Sequence, residues 1–346
     1  MAGAILITGC SGFLGQILTR SLLDLGMECF GIDLEPCEIQ HPRLTFLQGD
    51  IRDARCLESL FSKAGLDAVM HLAAVLAHVG PDPKFLWTSN VDGTRLVADF
   101  CRRYRVPKLV FTSSCSLWGQ SLHRPVREED PPNPAEIYGL SKWEGEKLLL
   151  EYRDSFDCVI IRCPLILEAG RLGLVTILFE FIDEGRKVWI VGDGRNRFQF
   201  IYAPDLVDAM VRALRLNETR VFGIGSDNPG TLEDVYRYVI QKSGSTSRIA
   251  RLPKNVTIPV MKAAYKLGLS PLGPYQYKMI AEDFCFDTSR IKMTLGWTPT
   301  LSNEEMLYRA YVYYKENLAE IRSRQTASAH RKPAAMGVIR FLKWLS

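Results

Sequence analysis

The 346-residue chain has no C-x-x-C pair, and its nine cysteines are odd in number. Paired or closely spaced thiols are the raw material of disulfide frameworks and zinc sites, so this usage predicts reduced thiols, a cytoplasmic setting and no metal centre. No basic segment followed by a long apolar stretch precedes the strand-like Ala4-Ile5-Leu6-Ile7, which predicts no secretory signal. No run reaches the roughly 20 apolar residues that cross a bilayer. Repeats and low-complexity segments are missing too. Strong charge of either sign is absent, the net value being +4. Six Lys or Arg and no acid follow Glu320, so the body before them is slightly acidic. That balance argues against nucleic acid as a partner.

Apolar residues at 47% and charged residues at 24% are ordinary for a globular protein, and the length allows one large domain with a smaller lobe. Short apolar runs at Ile5–Thr8, Cys29–Asp33, Leu44–Gly49, Ala68–Leu72, Leu109–Thr112 and Cys158–Arg162 read as strands. Helical patterns at Phe13–Leu25, Asp53–Ala64, Val91–Tyr104 and Ile137–Tyr152 alternate with them. This alternation predicts an α/β fold, a doubly wound parallel sheet with ligands at the carboxyl ends of its strands. The regularity fades after Leu165. A first domain over 1–165, with a return near 198–216, and a substrate-binding lobe over 166–197 and 217–318 are therefore expected. Residues 319–346 form a basic tail.

Between the first strand and first helix lies Thr8-Gly9-Cys10-Ser11-Gly12-Phe13-Leu14-Gly15. Glycines at 9, 12 and 15 permit the tight turn and close backbone approach that a pyrophosphate at a helix N-terminus needs. Asp33 closes the second strand, where a carboxylate accepts hydrogen bonds from ribose hydroxyls and repels a 2′-phosphate. NAD is the cofactor this pattern predicts.

Tyr138-Gly139-Leu140-Ser141-Lys142 places a phenol and an ammonium one helical turn apart. A free phenol titrates near pH ~10, and an adjacent positive charge can lower that by roughly 1–3 units. Such a tyrosine can take a proton from an alcohol, or return one to a ketone, while hydride moves at the carbon.

Together these motifs resemble an extended short-chain dehydrogenase/reductase of the NAD-dependent epimerase/dehydratase family, over roughly residues 3 to 315. Gly49-Asp50-Ile51 resembles the family's adenine-contacting strand end, His71-Leu72-Ala73-Ala74 the segment lining the cofactor, and Asn90 the start of its N-V-x-G-T helix. Thr112-Ser113-Ser114-Cys115-Ser116-Leu117-Trp118-Gly119 resembles the strand ending in S-S-x-x-V-Y-G. The resemblance implies that Ser114, Tyr138 and Lys142 are catalytic, with Lys142 holding the nicotinamide ribose and lowering the pKa of Tyr138. It implies cofactor contacts from Gly9, Gly12, Phe13, Leu14, Gly15, Asp33, Asp50, Ile51, Leu72, Ala73, Ala74 and Asn90, as well as from Tyr138 and Lys142. It further implies a homodimer built on the helices Val91–Tyr104 and Ile137–Tyr152.

Departures from the family pattern narrow the expected reaction. Sugar dehydratases carry Asp-Glu directly after the catalytic Ser/Thr, where this chain has Cys115 and Ser116, so dehydration is disfavoured. Leu165 replaces a frequent asparagine, and Phe198 stands where an arginine would clamp a nucleotide-sugar pyrophosphate, with Arg197 one residue earlier as the tentative substitute. The expected activity is oxidation and epimerisation of a secondary alcohol, foremost of a nucleotide sugar. Alternatives are a 3β-hydroxysteroid dehydrogenase-like enzyme acting on a hydrophobic or lipid-linked alcohol, and a non-catalytic dinucleotide-binding protein. At the end of the chain Val338, Phe341, Leu342 and Leu345 share a helical face with Trp344, Arg340 and Lys343 nearby. That pattern fits docking on the protein's own body or a partner subunit, or peripheral contact with an anionic membrane.

Overall fold

The computed structural model describes residues 3–63, 65–76, 82–173, 175–269 and 273–323; the amphipathic part of the tail lies outside them. Six strands come first: β1 (Ala4–Thr8), β2 (Glu28–Asp33), β3 (Leu44–Gln48), β4 (Ala68–His71), β5 (Lys108–Ser114) and β6 (Asp157–Cys163). Between them run α1 (Phe13–Asp24), α2 (Ala54–Phe61), α3 (Pro83–Trp87), a π-helical turn at Thr88–Asp92, α4 (Gly93–Arg103) and α5 (Ile137–Glu151). Next come β7 (Leu165–Leu167), α6 (Val175–Asp183), β8 (Val188–Val191), β9 (Phe200–Tyr202), α7 (Ala203–Ala213), β10 (Arg220–Gly223), α8 (Leu232–Ser243) and β11 (Ile249–Leu252). The helices α9 (Lys254–Lys266), α10 (Pro274–Ala281), α11 (Ser289–Leu295), α12 (Asn303–Glu316) and α13 (Leu318–Ser323) close the described chain.

The main sheet has seven strands in the order β10-β6-β5-β4-β1-β2-β3. Every pairing in it is parallel. A parallel sheet covered on both faces needs apolar residues on both sides of each strand, and Ala4-Ile5-Leu6-Ile7-Thr8 is buried throughout. Leu18 and Leu22 of α1 pack with Leu206 and Met210 of α7 on one face. Phe61 of α2, Val97 of α4 and Leu149 of α5 cover the other. Leu18 is fully buried, and truncation to alanine at such a site costs about 2–5 kcal/mol.

The main sheet extends further along the chain than the expected boundaries. β10 pairs with β6, so the return to the first domain continues past residue 216 to Gly223. Ile291 and Trp297 join the same core, with Trp297 Nε1 donating to the Asp205 carbonyl at 2.8 Å. The smaller lobe gathers around Phe179, Val239, Leu307 and Tyr311. Two capping boxes, Thr231 with Asp234 and Ser302 with Glu305, fix the starts of α8 and α12.

Candidate active site

The turn out of β1 is held by its own backbone: Gly9 N–H donates to Ile32 O at 2.8 Å and Gly12 N–H to Gly9 O at 3.2 Å. Gly9 has φ +76°, and a Cβ there would lie 2.8 Å from Ala73 N. Both facts reserve the position for glycine. Asp33 at the end of β2 accepts from Ser11 N–H at 2.9 Å through Oδ2 and from Glu35 N–H at 3.0 Å through Oδ1. Its carboxylate thus locks the glycine loop while each oxygen keeps acceptor capacity for another donor. Burial pushes the Asp50 carboxyl up, but the hydrogen bonds and charge of Arg52 outweigh it and hold it below the usual range.

Beneath this end lies a closed polar relay. Thr94 Oγ1 donates to Asn90 O at 2.7 Å, so it accepts from His71 Nε2–H at 2.8 Å. The remaining ring nitrogen, Nδ1, then accepts from Thr8 Oγ1 at 2.7 Å, and that hydroxyl accepts from Ala73 N–H at 3.2 Å. Burial keeps the imidazole neutral, with its pKa lowered to about 3. The relay sets the path of Leu72-Ala73-Ala74. Asn90 completes it: its side chain accepts from Val75 N–H at 2.7 Å and donates to Val75 O at 3.0 Å and to Ser141 Oγ at 2.9 Å. Asn90 therefore does not line the cavity; it ties the segment after β4 to α5.

Tyr138 and Lys142 stand on the first turns of α5. Gly139 between them lets the helix press against the turn after β5, where a Cβ would meet Ser116 O at 2.2 Å. The Ser114 hydroxyl accepts from Ser116 N–H at 3.1 Å and hydrogen-bonds the Tyr138 phenol. The expected tuning of Tyr138 by Lys142 is absent. Burial pushes the phenol up, Glu136 and Cys115 add to the rise, and only the Ser114 bond opposes it. Lys142 instead sits with Nζ 3.9 Å from the centroid of the Phe111 ring. Burial lowers its pKa to about 7, against the pull of Glu146.

These groups share one cavity of about 660 Å³. Gly9, Gly12, Phe13, Leu14, Gly15, Asp33, Asp50, Ile51, Leu72, Ala73 and Ala74 line it together with Ser114, Tyr138 and Lys142. Arg197 does not. It is exposed, with its guanidinium donating to Pro229 O at 2.9 Å and its N–H to Asp283 Oδ1 at 2.7 Å. The arginine in the wall is Arg171, whose guanidinium lies 5.5 Å from the Phe13 ring centroid. Glu136, the N-cap of α5, also lines the cavity, and burial raises its carboxyl to about 7. Sequence patterning singled out neither. Leu165, Ile166, Leu172, Val175 and Met279 make an apolar remainder.

The glycine end of the cavity fits a dinucleotide. The glycine turn and the N-terminus of α1 face one end, which suits a pyrophosphate, and Asp33 suits a ribose. Thr112 Oγ1 and Ser113 Oγ on β5 are buried without a hydrogen-bond partner among the described residues. Among the described residues no cluster of His, Cys, Asp or Glu is arranged to hold a metal ion, and no helix is long and apolar enough to cross a membrane.

Comparison with known proteins places this geometry. Residues 5–225 match the model of the NAD dependent epimerase/dehydratase family. The chain is 34% identical to the Sinorhizobium fredii protein y4nG over 341 residues, covering 98% of this chain and 85% of the relative. It is 34% identical to UDP-glucose 4-epimerase of Mycolicibacterium smegmatis over 230 residues, covering 60% and 72%. A UDP-glucose 4-epimerase structure from Thermotoga maritima, solved with UDP-glucose, superposes with a TM-score of 0.75 at 24% identity, covering 91% of this chain and 99% of that one. A glycine turn, a strand-end aspartate and a Tyr-x-x-x-Lys helix on one cavity wall agree with that kinship: the chain belongs to the NAD-dependent epimerase/dehydratase family, and its cofactor is NAD.

Proposed function

We propose that this protein is an NAD-dependent epimerase that oxidises and re-reduces one secondary alcohol of a nucleotide sugar. The observation that carries the reading is the presence of Ser114, Tyr138 and Lys142 on the wall that also holds the glycine turn and Asp33. Bound NAD supplies the hydride acceptor. Ser114 orients the reacting oxygen by hydrogen bonding, and Tyr138 exchanges its proton. Burial holds the phenol protonated, the form that returns a proton to a ketone, and exchange in both directions needs its pKa brought nearer the working pH. Lys142 with a pKa near 7 changes protonation in the working range, so it contributes an ammonium on the acid side and a neutral amine above it. Cys115 and Ser116 offer no carboxylate after Ser114, which favours epimerisation over loss of water. Homodimerisation through α4 and α5 belongs to the same reading, as does a cytoplasmic location.

A second reading has its own support. The apolar walls at Leu165, Ile166, Leu172, Val175 and Met279, with Arg197 turned away, suit a hydrophobic alcohol of the 3β-hydroxysteroid or lipid-linked kind. A panel of nucleotide hexoses and sterol-like alcohols, read by proton NMR of the sugar and by absorbance of reduced nicotinamide, distinguishes the two. Epimer formation without net NADH supports the first reading. Stoichiometric NADH from a sterol-like alcohol, with no sugar turned over, overturns it in favour of the second.

A further inference from the structure

Helix α9 is apolar on two sides but packed on one. Ile258, Met261 and Tyr265 fall on one helical face and are only partly exposed. Here Tyr277 on α10 donates its hydroxyl to Met261 O at 3.1 Å and meets the Tyr265 ring edge-on at 6.5 Å. Val256, Pro259, Val260, Ala263 and Leu267 recur at the spacing of the opposite stripe. All five are exposed, with Val256 at 63%, Val260 at 62% and Leu267 at 72%. No residue of α9 is fully buried. An apolar stripe of this length on a surface helix marks a docking face rather than scattered exposure.

The charge around the stripe identifies the occupant. From Pro253 to Leu269 the chain carries Lys254, Lys262 and Lys266 and no acid. Lys254 is spent on the Ala281 carbonyl at 2.6 Å. Lys262 and Lys266 are exposed and lie along one edge of the apolar stripe. A helix with aliphatic residues outward and lysines at their margin suits an anionic bilayer, where the chains sink to the acyl boundary and the ammonium groups stay with the headgroups. Position agrees: α10, against which α9 packs, carries Met279 into the cavity wall.

We infer that α9 is a membrane-docking helix that seats the protein on anionic lipid with the substrate end of its cavity one helix away. The inference concerns where the protein works and stands whichever alcohol it turns over. The test is flotation of the full-length protein with phosphatidylcholine vesicles, with and without phosphatidylglycerol. The protein should float only with the anionic vesicles. Val260→Glu with Leu267→Glu should abolish flotation while NAD retention and the melting temperature stay unchanged. Lys262→Glu with Lys266→Glu should weaken binding more than tenfold, since each lysine near such a surface contributes about fivefold. Phe341→Glu with Trp344→Glu should leave flotation in place. The inference is overturned if the wild type does not float, or if the Val260/Leu267 variant floats like it. It is also overturned if tail substitution alone releases the protein, or if the α9 substitutions instead convert a lipid-free dimer to a monomer.

Discussion

One turn beyond Lys142 on α5, the Glu146 carboxylate is gripped by Arg162 of β6, with Nη2 to Oε2 at 2.7 Å and Nε to Oε1 at 3.0 Å. Both side chains are buried. Arg162 also donates to Glu128 O at 2.9 Å, and its guanidinium carbon lies 5.1 Å from the Trp118 ring centroid. The pair pins α5 to the sheet and supplies the negative charge that keeps Lys142 from losing its proton more readily still.

Breaking this pair leaves a buried charge without its partner. Arg162→Ala should therefore cost about 3–5 kcal/mol in denaturant unfolding. Glu146→Gln should cost stability too, and should also lower the Lys142 pKa further. A loss below about 1 kcal/mol in both variants contradicts the assignment.

Glu136 makes stability depend on pH in a predictable direction. Its folded pKa, near 7, lies above the usual carboxylate value. The folded state then holds the proton more tightly, so stability present at low pH is lost as pH rises from about 4.5 to 7. Glu136→Gln removes that loss. The variant should gain on the wild type between pH 5 and pH 8 by on the order of 2 kcal/mol. Parallel melting curves for the two proteins across that range would refute the role.

Lys142 acts in the adjoining window with the opposite slope. Its folded pKa near 7 lies below the ordinary lysine value, so the burial penalty is present in full at acid pH and is relieved as pH rises from about 7 towards 10.5. Lys142→Met should gain stability on the wild type below pH 7 and lose that advantage at higher pH. A constant difference across pH contradicts burial as the cause.

Asp33 holds the glycine loop and, on the proposed reading, also the ribose. Asp33→Ala removes the acceptor for Ser11 and Glu35 N–H groups and any bond to a ribose hydroxyl. Charge-assisted hydrogen bonds of this kind contribute about 1.5–3 kcal/mol, so NAD affinity should fall by at least tenfold by calorimetry. Unchanged affinity contradicts the placement.

The sequence disclosed the parts whose function is local. Gly9, Asp33, Tyr138 and Lys142 announce themselves because turn geometry, strand ends and helical spacing are short-range, and each lies in the cavity wall. What depended on distant packing was not legible. Arg171 enters the wall from an irregular loop after β7, and Glu136 reads as an ordinary residue ahead of a helix. Arg197 looked able to reach a phosphate until the backbone at Pro229 claimed its guanidinium. The strand Arg220–Gly223 is four residues long with a charged end, and only its pairing with β6 gives it away. Helix α9 is not legible in the sequence because Pro259 lies inside it and none of its residues is buried. Lys142 sits one turn from Tyr138 as expected, yet burial sets the phenol's shift and only the Ser114 bond opposes it, a balance that residue spacing cannot report.

The most direct measurement compares wild type with Tyr138→Phe for two quantities in the same preparation: NAD released on denaturation, and turnover of the substrate that the panel identifies. The variant keeps the cavity wall and loses only the exchangeable proton. It should release as much NAD as the wild type while turnover falls by about 10²–10⁴-fold. Full turnover by Tyr138→Phe would contradict the account.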